Sequence, residues 1–306
     1  MLGLNADRPR GERIPIYHCA NCGLTQSDVS AIQESFEELY FDGYYGDQQE
    51  PRYSVLLNLF QWCRRRLAMG ELKEGQVLDV GCGDGSFLRA LPTTYQKFGF
   101  EPSNPGQASL HRAGIQTVDI FSETKRQFDL ITMWHSLEHI SNPKQTVGKL
   151  KGLLRDGGRL FISVPYRRSL QACVFAGRWF HLDPTRHLIH FDKGSLRALL
   201  TGSGFEIVKE STFSLEYNVF GWWQSLLNLL PFEFNWAYKR LKRGAPQPQG
   251  FAPSLRWVVY MLFGLIFLPV AVLCSLAEAA LGLGGVINVT AVPLKSEAPA
   301  NRWPAS

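Results

Sequence analysis

Three glycines, Gly81, Gly83 and Gly85, stand at alternate positions in VLDVGCGDGSFL (residues 77–88), and Asp79 lies two residues ahead of the first. An apolar run precedes them and an apolar, helix-like start follows. That places bare backbone at a strand-to-helix turn, where glycine permits a sharp reversal and close approach to a ligand. The dinucleotide fingerprint G-x-G-x-x-G has its third glycine one residue later, and no Walker lysine follows, which excludes a phosphate-cradling P-loop. The Asp79 carboxylate suits a ligand with an amino group better than one with a phosphate there. Glu101 closes the next strand about 20 residues on, where an acid reaches a ribose diol. Asp119 closes the strand after that, where a third contact would reach an adenine. The alternative is a plain structural turn with carboxylates at strand ends.

The second group is histidine. Five of the seven histidines fall in two short segments, His135 and His139 in WHSLEHI and His181, His187 and His190 in HLDPTRHLIHF. Histidine exchanges protons near neutral pH.

The elements that must position these residues alternate along the chain. QVLDVG, QKFGFE, IQTVD, QFDLITMWH and RLFISVP read as strands. SFLRAL, PGQASLHRAG, NPKQTVGKLKGLLRDGG and KGSLRALLTGSGF read as helices, the third stopped by its glycine pair. Strands separated by helices imply an α/β, Rossmann-like, doubly wound parallel sheet whose ligands lie outside the carboxyl ends of the strands. A helix is expected from Pro51 to about Met69, with Val55, Leu56, Leu59, Phe60 and Leu67 on its apolar side.

VLDVGCGDGSFL, FEPS, FDLITMWHSLEHISNP and LLRDGGRLFISVP together resemble, in order and spacing, the motif series of class I S-adenosylmethionine-dependent methyltransferases, over about residues 50–210. The resemblance implies a seven-stranded sheet with a reversed last strand and S-adenosyl-L-methionine as cofactor. It carries cofactor contacts onto Asp79, Gly81, Gly83, Gly85, Glu101 and Asp119. LEHI and HLDPTRHLIHF are similar to a subgroup of small-molecule methyltransferases of quinone, sugar and cell-envelope pathways, which implies a small or lipid-linked acceptor. Methyl transfer requires an aligned nucleophile, exclusion of water and often removal of one proton. His135, His139 and His187 are the candidates for that last task. His135, Glu138 and His139 also offer three ligand types within five residues. On a strand-to-helix turn they need not converge, so no metal is expected. Two rival classes are a nicotinamide oxidoreductase, disfavoured by the glycine spacing, and a non-catalytic scaffold that keeps the fold.

The whole chain has 306 residues, 45% of them hydrophobic, and a net charge of +5, too weak to argue for a nucleic-acid partner. The reading divides it into an N-terminal arm (1–50), a core (51–213), an apolar insertion (214–283) and a last strand with its tail (284–306). No apolar leader opens the sequence, so a cytoplasmic setting is expected. The CANC pair, Cys19 and Cys22, resembles half of a zinc knuckle. Residues 257–277 carry no charge and are long enough for one membrane span. GGVINVTAV (284–292) reads as the last strand, and a single crossing would leave it on the wrong side. A hairpin broken at Pro269, with halves of about 21 Å, fits both facts. Trp222, Trp223 and Trp236 are expected at headgroup level, with YKRLKR against anionic lipid on the cytoplasmic face. The alternative is a soluble hairpin buried on the sheet or in a dimer interface.

Overall fold

The alternating apolar runs assemble into one seven-stranded sheet in a computed structural model, which describes residues 6–7, 13–20, 23–31, 54–123, 125–231, 234–241 and 255–294. The strands are β1 (Gly75–Val80), β2 (Tyr95–Phe100), β3 (Gln116–Thr117), β4 (Phe128–Trp134), β5 (Leu154–Pro165), β6 (Phe205–Ser211) and β7 (Val286–Pro293). Their order across the sheet is β6-β7-β5-β4-β1-β2-β3. Strands β1 to β5 pair parallel, and β7 runs antiparallel to both of its neighbours, β5 and β6. The expected reversed last strand is therefore present, inserted beside β6.

The helices are α1 (Ser54–Met69), α2 (Ser86–Arg89), α3 (Asn104–Arg112), α4 (Pro143–Gly152), α5 (Leu170–Phe175), α6 (Lys193–Gly202), α7 (Leu215–Leu227), α8 (Trp236–Leu241) and α9 (Leu255–Ala280). Side-chain caps start several of them. Ser103, Asn142, Ser169 and Ser214 accept from first-turn N–H groups, and Asp192 with Ser195 forms a capping box on α6. Alternate strand residues face opposite sides of the sheet. Leu78, Val80, Ile131, Met133, Ile162 and Val164 pack with α4 and α6, whereas Val77, Leu130 and Phe161 pack with α1, α2 and α3.

Four details depart from the sequence reading. Helix α4 ends at Gly152, five residues before Gly157, and the glycine pair lies inside β5. There the register with β4 shifts, and a Cβ on Gly158 would stand 2.8 Å from the Phe128 carbonyl oxygen, so the pair serves a bulge. Helix α1 forms, but Val55, Leu56 and Leu59 of its apolar side are 83%, 49% and 42% exposed. The uncharged run is one unbroken helix through Pro269 rather than a hairpin. Trp222 is buried, Trp223 donates to the Gly264 carbonyl oxygen at 2.8 Å, and Trp236 packs edge-on against Tyr260, so these rings face the protein.

Helix α9 lies antiparallel along α7. Tyr260 reaches Gln224 at 3.2 Å near one end, and Glu278 accepts from Gln171 Nε2 at 3.0 Å near the other. Its buried stripe is narrow: Tyr260, Gly264, Ala271, Ser275 and Glu278. The opposite face presents Leu262, Leu265, Ile266, Leu273 and Leu276 to solvent. Near the N-terminus, Ile16–His18 pairs with Thr25–Ser27, and this hairpin docks on residues 188–190 through two backbone hydrogen bonds of 3.0 and 2.8 Å. Cys22, Lys242 and Arg243 lie outside the described residues.

Candidate active site

The glycine turn follows β1 at the carboxyl edge of the sheet. Gly81, Gly83 and Gly85 have φ of 71°, 56° and 74°, the left-handed region in which a side chain is strained. Space confirms the need at Gly81, where a Cβ would meet the Cβ of Ser136 at 2.4 Å. Ser136 in turn donates to the Val80 carbonyl oxygen at 2.7 Å, so the glycine turn and the turn after β4 are locked together.

Two carboxylates converge on this turn. Glu101 Oε2 accepts from the Gly83 N–H at 2.9 Å, while Oε1 accepts from Ser103 Oγ at 2.6 Å. Gly106 gives Glu101 room, since a Cβ there would stand 2.3 Å from the Glu101 Cγ. Asp79 is 2% exposed and accepts from Thr132 Oγ1 at 2.7 Å, across the β1–β4 register that pairs the two residues. Burial pushes its carboxyl up to about 7; the Thr132 hydrogen bond and the Arg64 charge oppose that rise.

A cavity of about 520 Å³ opens above the turn. Asp79, Gly81, Gly83 and Glu101 line it, together with Arg64, Trp134, His135, His139, Tyr217 and Tyr238. Gly85 lies outside the lining and packs against Leu110 and Ile115 instead. Asp119 is also outside it, exposed, with its carboxylate accepting from the Phe121 N–H at 2.9 Å.

Three comparisons bear on this arrangement. A family model described as a methyltransferase domain matches residues 58–210, half of the chain. The chain belongs to the class I S-adenosylmethionine-dependent methyltransferases. A malonyl-[acyl-carrier protein] O-methyltransferase of Paenibacillus sp. (strain JDR-2) is 24% identical over 208 residues, which are 61% of this chain and 72% of that protein. A ubiquinone biosynthesis O-methyltransferase of Citrobacter koseri is 33% identical over 107 residues, 31% of this chain; the chain spans only 44% of that relative's length. A solved S-adenosylmethionine-dependent methyltransferase of Mesorhizobium loti is 16% identical, with a TM-score of 0.45 over 76% of this chain and 96% of that one.

The far wall of the methyltransferase cavity comes from residues that carry no motif. Arg64 of α1 donates to both carboxylate oxygens of Glu216, at 2.9 and 2.8 Å, and to Tyr217 Oη at 2.6 Å. Its guanidinium also stacks over Trp134. Tyr217 and Tyr238 come from α7 and α8, so the insertion builds part of the site. The register of β1 and β4 would have paired Thr132 with Asp79, but nothing in the sequence marks Arg64.

The histidines divide in two. His135 follows β4 with a strained φ of 49°, held by its N–H donating to the Ser163 carbonyl oxygen at 2.9 Å. Its ring lies 4.0 Å from that of Tyr217, and 5.9 Å from that of His181 in a parallel stack. Burial, then the Arg64 charge, pushes its pKa down to about 3, so the ring is neutral at neutral pH. His139 lines the cavity edge, and His187, outside the lining, packs edge-on to it at 4.9 Å. His181 and His190 are buried; His190 Nε2 is 3.0 Å from Ser27 Oγ of the N-terminal hairpin.

Proposed function

We propose that this chain transfers the methyl group of S-adenosylmethionine to a nucleophilic atom of a lipid-linked acceptor at the cytoplasmic face of a membrane. The observation that carries the reading is one cavity with two owners. The glycine turn and its carboxylates form one wall; the other belongs to the insertion, whose α9 leaves a continuous apolar face outward.

The residues fit the cofactor. Asp79, buried at the cavity wall beside Thr132, is a site for the ligand's ammonium group, whose charge would restore the ionised carboxylate. Glu101, already accepting from Gly83, is placed for a ribose diol, with Gly81, Gly83 and Gly85 shaping the turn around the ligand. When bound, the cofactor supplies an electrophilic methyl carbon on sulfur. The protein's part is to align the acceptor and exclude water. His135 is the cavity histidine whose Nε2 has no hydrogen-bond partner among the described residues. It is assigned to the acceptor's O–H or N–H, which it orients. Tyr217 and Tyr238 close the acceptor side.

Helix α9 supports the membrane reading without a crossing. It is about 39 Å long, by 26 residues at ~1.5 Å each, and lies on the domain from Tyr260 to Glu278. A crossing would draw α7 and the sheet into the lipid with it. Lying flat, the outer face inserts to interfacial depth. The test is transfer from methyl-labelled S-adenosylmethionine, with membrane extract and water-soluble extract offered separately. Label in the lipid phase is expected. A fully soluble protein that labels only water-soluble acceptors would overturn the membrane half.

A further inference from the structure

Glu138 is 1% exposed, and neither of its carboxylate oxygens accepts a hydrogen bond among the described residues. His135 Nδ1 stands 3.4 Å from Oε1. A buried carboxylate without donors is costly unless a cation meets it. Two imidazoles stand beside it. One ligand atom each from Glu138, His139 and His187 lie within 4.8 Å of one another.

The surroundings have the form of a metal's supporting shell. His139 Nδ1 is 2.8 Å from the Arg186 carbonyl oxygen, which fixes that nitrogen as the donor and turns the Nε2 lone pair outward. The ligand-bearing segments are joined twice, because Ile189 N–H donates to the Glu138 carbonyl oxygen at 3.1 Å. His187 is held from both sides. Its N–H donates to the Asp183 carbonyl oxygen at 2.7 Å, and its own carbonyl oxygen accepts from Ser27 Oγ at 3.0 Å. The N-terminal hairpin thus braces the third ligand. His135, which the sequence placed beside Glu138 and His139 with no metal expected, stands outside the convergent set, and His187, from the other histidine segment, completes it.

We propose that Glu138, His139 and His187 bind one first-row divalent cation at the edge of the methyl-transfer cavity. Two imidazoles and one carboxylate favour zinc, manganese or iron over magnesium or calcium, which prefer all-oxygen sites. Three protein ligands leave at least one position open, the pattern of catalytic rather than structural zinc. Bonds of ~2.0–2.2 Å place tetrahedral ligand atoms ~3.3 Å apart, so the site closes by about an ångström on the ion. His139 lines the cavity, so the open position is within reach of an acceptor oxygen. This role rests on the proposed methyl transfer; the binding does not.

The experiment is titration of the metal-free chain with Zn2+ by calorimetry and with Mn2+ by electron paramagnetic resonance, each repeated in 1 mM Mg2+. The background carries Cys19→Ser and Cys22→Ser, so that thiolates contribute nothing. One ion per chain is expected, undisturbed by Mg2+ and at least about tenfold weaker in His187→Ala and in Glu138→Gln. A thermal scan of each variant without metal checks that it is folded. Ion binding should then raise the melting temperature of the parent and not of the variants. Absence of binding to the folded parent, or equal binding in folded His187→Ala, would overturn the site. S-adenosylmethionine affinity measured on the same samples keeps that result separate from a failure of the cofactor reading.

Discussion

Asp79 is the residue whose environment makes the sharpest demand. Its ordinary value is 3.8, and burial raises it to about 7. Below pH 7 the free protein holds it protonated, and the ammonium group proposed to bind there would displace that proton. Affinity for S-adenosylmethionine should therefore rise from pH 6 to pH 8, and Asp79→Asn should bind weakly at every pH; calorimetry across that range checks both. At Gly81 the demand is space. Gly81→Ala brings a Cβ to 2.4 Å from that of Ser136, and a positive φ adds roughly 1 kcal/mol of strain. At least about tenfold loss of cofactor affinity is expected, with partial recovery in the double variant with Ser136→Gly, where the clash is absent. These demands were half legible in the sequence. The glycine spacing announced the turn and Asp79, because a tight turn restricts which residues can form it. Thr132 was reachable only through the β1–β4 register, and the partners Arg64 and Ser136 were not, because helix-to-sheet and turn-to-turn contacts leave no local pattern.

At the scale of elements, the insertion is where sequence and fold parted. A 21-residue uncharged run with proline near its middle reads as two short helices, since proline removes a backbone donor. The chain forms one helix because α7 supports it on either side of Pro269, through Gly264 and Ala271. Apolar composition hid the anchor as well: Glu278 looks like an intruder, yet it is fully buried and bound by Gln171. Burial lifts its pKa from 4.5 to about 7. A raised folded-state value means stability is greatest below pH 4.5 and falls as pH climbs through 7, the same sign as Asp79. Glu278→Gln removes this share. Its melting temperature should match the parent near pH 5 and exceed it near pH 8 by a few degrees, at ~2–4 °C per kcal/mol. The outer face of α9 carries a separate prediction. Leu265→Glu with Leu273→Glu should lower binding to anionic liposomes at least about tenfold, because each inserted leucine contributes about 1.5–3 kcal/mol. Cofactor affinity should be unchanged, since neither side chain reaches the cavity.

For the whole molecule, the fold was readable because a parallel sheet imposes its alternation on the entire chain. The reversed last strand was readable only through the family resemblance. The joint construction of the cavity by core and insertion was not, since it depends on how α7 and α8 return over the sheet. That construction makes the insertion part of the site, and it links a cofactor wall to the helix whose outer face is exposed and apolar. Every role given to the cavity depends on the cofactor it holds. Calorimetric titration of the full chain with S-adenosylmethionine, with NADH as control and repeated in lipid nanodiscs, should give micromolar binding that Glu101→Ala abolishes. Binding of NADH instead, or no S-adenosylmethionine binding in either setting, would contradict it.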